Sequence, residues 1–196
     1  LGTQLSQDSI IPNIDAIAMG ISDAINSKVK MNEEARQMVI QTLIAQIQEK
    51  EQARQEAEMA KLKEAAPKNL ADGKKFLEEN KKKSGVQVTA SGLQYKIINP
   101  GNSKKPKASD EVTVHYKGTL IDNSVFDSSY ERNQPATFPL NGVIPGWTEG
   151  LQLIGEGGKI ILYIPSDLGY GENGMGNAIP PNSVLIFEVE LQKVGK

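Results

Sequence analysis

The sequence has no cysteine, one histidine and one tryptophan among its 196 residues. Without cysteine there is no disulfide, no thiolate nucleophile and no Cys-based zinc site. That absence also suits an oxidising compartment. A lone His115 cannot assemble a multi-histidine metal centre, and it leaves a Ser-His-Asp triad without spare parts. Formal net charge is −2, so the overall basic field that nucleic-acid binding uses is missing. No stretch approaches about 18 consecutive apolar residues, the length that reads as a membrane span. Membrane contact is therefore expected only through an anchor ahead of Leu1, where a leader segment would also lie.

Aromatic residues make up 5% of the chain, and the first half holds almost none of them. Residues 1–84 contain 3 of the 18 Gly, 2 of the 10 Pro and a single aromatic, Phe76. They are rich instead in Ala, Gln, Glu, Lys and Met, which favour helix. Residues 85–196 carry the remaining Gly, Pro and aromatics, with β-branched runs separated by turn residues. The contrast predicts an α+β chain, a helical arm followed by a β-rich domain.

Within the arm, Ile14, Ile17, Ala18, Ile21 and Ile25 fall at helical spacing, with Lys28 and Lys30 near the end, where cations complement the helix dipole. Asn32 followed by Glu33 and Glu34 marks the start of a second helix. Ala35, Val39, Leu43 and Ile47 then repeat every four residues. Beyond Ile47 the charged run "QEKEQARQEAEMAKLKEA" has almost no apolar face, so it reads as a spacer. A helix over 32–66 would be roughly 50 Å long. Some 50 residues cannot build an adequate core alone, so the Ile, Leu and Met side chains of residues 1–50 either pair with a second copy or pack on the β domain. Pairing into a homodimer is the expectation, because the stiff spacer keeps the apolar arm away from that domain. Pro67 either ends the long helix near Ala66 or kinks it. The following "KNLADGKKFLEENKKK" reads as another helical stretch, with Leu70, Phe76 and Leu77 apolar. The expected division is an arm and spacer over 1–66, a linker with that second stretch over 67–90, and a β domain over 91–196.

The segments "LQYKII", "EVTVHYKGTL", "ATFPL", "KIILYI" and "VLIFEVELQKV" read as five antiparallel strands. Between the third and fourth, "PGWTEGLQLI" predicts one short helix that begins at Pro145 and crosses the sheet. Trp147, at its start, would look toward the open end, and its single N–H donor wants a partner when buried. His115 lies on the strand face opposite Val114 and Tyr116, which points to a surface or hydrogen-bonded structural role. "GEGGK" at 155–159 lacks the ending of a phosphate loop and leads into a strand.

Taken together, "VTVHYKGTL", "VFDSSYERNQPATFPL", "VIPGWTEGLQLI", "GGKIILYIPSDLGYGENG" and "IPPNSVLIFEVEL" resemble the FK506-binding (FKBP) type of peptidyl-prolyl cis-trans isomerase over residues 91–194. The arm resembles that of the macrophage infectivity potentiator subgroup, with the first helix shortened to "LGTQLSQ". The resemblance implies an antiparallel sheet wrapped around one short helix, an isomerase that needs no cofactor or metal, and a homodimer in the periplasm or on the outer membrane of a Gram-negative bacterium, the cytoplasm being the alternative. FK506- and rapamycin-type macrolides are the implied inhibitors, and unfolded or partly folded proline-containing proteins the implied substrates. A non-catalytic chaperone or peptide-binding module is the alternative function. The implied catalytic residues are Asp127, Tyr170, Trp147, Phe138 and Ile144. The implied substrate-binding residues are Tyr116, Phe126, Val143, Ile179, Phe187 and Arg132.

In that arrangement Trp147 floors the proline site, and the Ile144 N–H and Tyr170 hydroxyl hold substrate carbonyls. Asp127 reads alone as a turn-capping aspartate and within the resemblance as a pocket carboxylate. Arg132, five residues on, is expected to neutralise it through a bidentate pair. Ala136, Ala178 and Met175 depart from better-known members of the family and imply a shallower, softer wall.

Overall fold

The structure is a computed structural model that describes residues 19, 21–23, 25, 26 and 32–195. Ile14, Ile17, Ala18, Lys28 and Lys30, and with them most of the predicted first helix, lie outside the described residues. Met19, Ile21, Ser22, Asp23 and Ile25 are helical and agree with its later turns. The chain divides into two compact units, Leu1–Met59 and Ala60–Lys196.

Helix α1 runs over Glu33–Asn80, 48 residues. Asn32 caps it as predicted, its side-chain oxygen accepting the N–H of Ala35 at 2.8 Å. In the first unit Met38, Val39, Ile40, Leu43 and Ile44 are all exposed.

Pro67 neither ends nor divides α1. A helix-interior proline costs about 3 kcal/mol, and the turns around and after it dock on the loop 181–184 and on the sheet. Leu62, Ala65, Ala66, Asn69, Gly73, Phe76, Leu77 and Asn80 form one buried or half-buried stripe at steps of three and four. Asn69 donates to the carbonyl of Pro181 at 2.9 Å, and Asn182 donates to that of Ala66 at 3.4 Å. Gly73 is needed because a Cβ there would stand 2.8 Å from Val184 Cγ2. Phe76 meets Tyr163 with ring centroids 6.1 Å apart. Asn80, fully buried, donates to Gln94 Oε1 at 3.0 Å, and Gln94 donates in turn to the Leu77 carbonyl at 2.9 Å. The stretch expected to be a separate linker helix is thus the docked end of α1.

The sheet has seven strands, not five: β1 (Gln87–Val88), β2 (Gln94–Asn99), β3 (Glu111–Thr119), β4 (Val125–Ser128), β5 (Ala136–Pro139), β6 (Lys159–Ile164) and β7 (Leu185–Val194). All pairings are antiparallel, in the order β1-β2-β6-β7-β3-β4. β5 pairs with the first half of β3 and β4 with its second half, so the two share one edge. On one face Val112, Val114, Ile160, Leu162, Ile164, Leu185, Val189 and Leu191 are fully buried. Helix α2 (Pro145–Leu151) covers that face with Trp147 and Leu151. It lies directly on β6: a Cβ on Gly146 would come within 2.6 Å of Ile164, and one on Gly150 within 2.5 Å of Leu162.

Replacing Asn80 with Ala should cost about 1–3 kcal/mol, because Gln94 loses its donor inside the fold. Urea unfolding of the whole chain would measure this, and an unchanged midpoint would mean that the contact contributes nothing.

Candidate functional site

A cavity of about 490 Å³ opens between α2, the β4–β5 edge and the loop after β6. Its floor is Trp147, 4% exposed. The indole is crossed nearly at right angles by three rings: Tyr116 at 5.2 Å, Phe187 at 5.1 Å and Phe138 at 6.0 Å between centroids. Phe126 leans on Phe187 the same way at 5.3 Å. Edge-to-face pairs of this kind each add about 0.5–1.5 kcal/mol beyond area burial. Gly118 leaves the space they need, since a Cβ there would fall 2.6 Å from Phe126 and 2.8 Å from Phe187.

The local sequence explains the floor. Pro139 and the single turn Leu140–Gly142 lead into extended Val143, and Ile144 caps α2 with Pro145 at its first position. The Ile144 carbonyl accepts the N–H groups of Trp147 at 2.9 Å and Thr148 at 3.2 Å. The Ile144 N–H has no acceptor among the described residues and stands at the cavity wall. It is one of the orphan donors that every helix start leaves. The Trp147 N–H, expected to find a partner, is buried with no hydrogen-bond acceptor among the described residues; three aromatic rings surround the indole.

At one end of the cavity Asp127 and Tyr116 meet Arg132. Tyr116 Oη donates to Asp127 Oδ2 at 2.5 Å. Arg132 donates through Nη1 to Asp127 Oδ1 at 2.5 Å and through Nη2 to Tyr116 Oη at 2.8 Å. The expected bidentate pair is thus a fork across two residues, because Tyr116 already holds the second carboxylate oxygen. Partial burial works to raise the Asp127 pKa, but the hydrogen bonds from Arg132 and Tyr116 outweigh it and hold the carboxyl below its usual range. Burial, followed by the charge of Asp127, pushes the Tyr170 hydroxyl up, so it stays protonated and available as a donor. That hydroxyl has no partner among the described residues, and Tyr170 lines the cavity.

Nine of the eleven residues singled out from sequence therefore line one cavity: Tyr116, Phe126, Asp127, Phe138, Val143, Ile144, Trp147, Tyr170 and Phe187. Two do not. Arg132 stands behind Asp127. Ile179 is 1% exposed and belongs to the core, its backbone exchanging hydrogen bonds of 2.8 and 3.2 Å with Met175. Met175 and Gly142 also line the wall. The departure at Met175 was visible in "GENGMGNA"; Gly142, with no side chain to read, carried no signal. Ala136 packs on the core and Ala178 is exposed, so neither lines the cavity.

Comparison with known proteins places this geometry. Residues 102–192 match the profile of the FKBP-type peptidyl-prolyl cis-trans isomerase, and residues 1–97 match that of the domain amino-terminal to it. The chain belongs to the FKBP-type peptidyl-prolyl cis-trans isomerase family. It is 47% identical over 180 residues to the isomerase FkpA of Aeromonas hydrophila, covering 92% of this chain and 64% of that protein. It is 42% identical over 197 residues to the outer membrane protein MIP of Legionella longbeachae, covering 100% of this chain and 82% of that protein. The crystal structure of FkpA from Escherichia coli superposes with a TM-score of 0.67 at 41% identity, over 98% of this chain and 87% of that one. The chain thus spans just under two thirds of the Aeromonas protein. Among the described residues no helix is long and apolar enough to cross a membrane.

The Asp127 carboxyl has a folded pKa below its unfolded value, so its pairing stabilises the fold above about pH 4 and is lost as pH falls through the folded pKa. Replacing Arg132 with Leu should raise that pKa and shrink the loss of stability on acidification. Unfolding midpoints measured from pH 6 to pH 2 in both proteins test the sign; parallel curves would remove Arg132 as the cause.

Proposed function

We propose that the chain is a peptidyl-prolyl cis-trans isomerase that turns X-Pro bonds in folding proteins without a covalent intermediate. The observation that carries this reading is the cavity itself, a tryptophan floor fenced by aromatic edges with hydrogen-bond donors at its rim. Rotation about a peptide C–N bond faces a barrier of about 18–20 kcal/mol, because twisting destroys amide resonance. A 10⁵-fold acceleration takes roughly 7 kcal/mol from it.

Three effects combine. The planar amide is the more charge-separated form, so the rings of Trp147, Phe138, Phe187 and Tyr116 disfavour it relative to the twisted one. The proline ring rests on Trp147 while the carbonyl side turns, with Val143, Phe126 and Met175 as walls. The Ile144 N–H and the Tyr170 hydroxyl supply fixed donors to the substrate carbonyls. Asp127, held by Tyr116 and Arg132, acts on the turning amide through its field. It transfers no proton.

The exposed apolar stripe of Met38, Val39, Leu43 and their neighbours supports a second proposal, that residues 1–50 pair with a second copy and that the dimer also holds non-native chains. In this reading the arm and spacer, residues 1–66, serve dimerisation, and residues 91–196 carry the isomerase site. The matching relatives come from Gram-negative bacteria, which supports a periplasmic or outer-membrane setting. Macrolides of the FK506 and rapamycin type should compete for the cavity.

Two measurements test these readings. Trp147→Ala should lower kcat/KM on a proline tetrapeptide by at least about tenfold, and wild-type turnover in that variant would overturn the catalytic reading. Removing residues 1–59, which keeps the docked end of α1, should leave tetrapeptide turnover within about twofold but slow refolding of a whole protein substrate. Equal losses on both substrates would refute separate roles for the two units.

A further inference from the structure

The face of β3 away from the cavity carries His115, which the mechanism above does not use. Its Nδ1 lies 2.8 Å from Ser129 Oγ, within hydrogen-bond reach, and its ring stacks on Tyr130 with centroids 4.7 Å apart and planes 13° from parallel. Ser129 is fully buried. Its Oγ accepts the backbone N–H of Tyr116 at 2.8 Å and lies 3.2 Å from the Tyr116 carbonyl oxygen. That same carbonyl accepts the Ser129 N–H at 3.0 Å. One serine thus grips both backbone polar groups of the residue whose side chain holds Asp127.

Ser129 also opens the turn that carries Arg132. The turn closes through Gln134 N–H to the Ser129 carbonyl at 3.3 Å and Asn133 N–H to the Tyr130 carbonyl at 3.0 Å, with Asn133 in the left-handed region at φ 50°. Asparagine tolerates that conformation better than most residues. Arg132 projects from this turn to Asp127 and Tyr116, and its guanidinium sits 5.7 Å from the Tyr116 ring centroid. Both arms of the Tyr116–Asp127–Arg132 fork therefore start from Ser129: one through the Tyr116 backbone, the other through the 129–134 turn.

We infer that His115 and Ser129 are positioning residues that register Arg132 and Tyr116 on Asp127. His115 completes the hydrogen bonding of the buried Ser129 hydroxyl and clamps Tyr130 at the head of the turn. Without it Ser129 turns away, the turn loosens and the guanidinium leaves the carboxylate. A misplacement of this size matters because fixed donors act only at the right distance. The inference rests on the isomerase reading for its effect on turnover, but its effect on Asp127 can be read without turnover.

The test compares His115→Leu and His115→Asn in the full chain; the Asn amide can stand near the position of Nδ1. Carbon NMR would follow the Asp127 carboxyl titration, and tetrapeptide kinetics would give kcat and KM separately. His115→Leu should move the Asp127 titration up toward that of an ordinary aspartate and lower kcat by about threefold to tenfold with KM nearly unchanged. His115→Asn, which keeps the hydrogen bond but not the stack on Tyr130, should fall between His115→Leu and wild type in both. An Asp127 titration identical to wild type in His115→Leu would overturn the inference, as would a His115→Asn titration no different from that of His115→Leu. Should His115→Leu fail to fold, Ser129→Ala, which leaves the Tyr130 stack in place, is read by the same criteria. If wild-type turnover itself is absent, the isomerase reading fails, while the titration still decides the positioning role.

Discussion

The close approach of α2 to β6 is the constraint on which the site depends. Two glycines spaced four apart, Gly146 and Gly150, face Ile164 and Leu162, with no room for a methyl at either position. The helix therefore sits closer to β6 than any residue with a Cβ would allow at these two positions. That approach sets the Trp147 ring against Tyr116 on β3 and Phe187 on β7, so the indole meets each of them edge to face. A helix riding higher would leave the indole above the rings and the cavity without a floor.

Inside an apolar cup a carboxylate is costly unless it is paired. Here the pairing is spread over two donors, and the pair is partly open to solvent, with Asp127 37% and Arg132 51% exposed. An ion pair so exposed adds at most about 1 kcal/mol to stability. Its value is orientation. The Tyr116 hydroxyl and the guanidinium fix both carboxylate oxygens, so the negative charge keeps one direction relative to Trp147 and Tyr170.

Much of this was legible in the residues. The shift in Gly, Pro and aromatic content near residue 84 separates helix from sheet, and Asn32 announces its own helix start. The "PGWTEGL" run reads directly as a short helix with the indole at its head. What escaped had tertiary causes. Pro67 sits inside a helix whose turns are docked, Asn69 and Gly73 on the loop 181–184 and Phe76 and Asn80 on the sheet, and no local propensity reports docking. β1 is two residues long, too short for alternation to show, and β4 runs into the turn-like "DSS". Ile179 suits a pocket wall as well as a core by residue type, and only the fold buries it, with a two-bond backbone bridge to Met175. The Arg132 fork could not be foreseen without knowing that Tyr116 approaches Asp127 from across the strand pair.

The position of the single tryptophan has an optical consequence. Every photon of indole emission from this chain originates at the cavity floor, in a ring shielded from water and bordered by Tyr116. A guest that settles on that ring changes its surroundings directly, so occupancy can be followed without any label. Tyrosine fluorescence transferred to the indole from Tyr116 would carry the same information from the neighbouring wall.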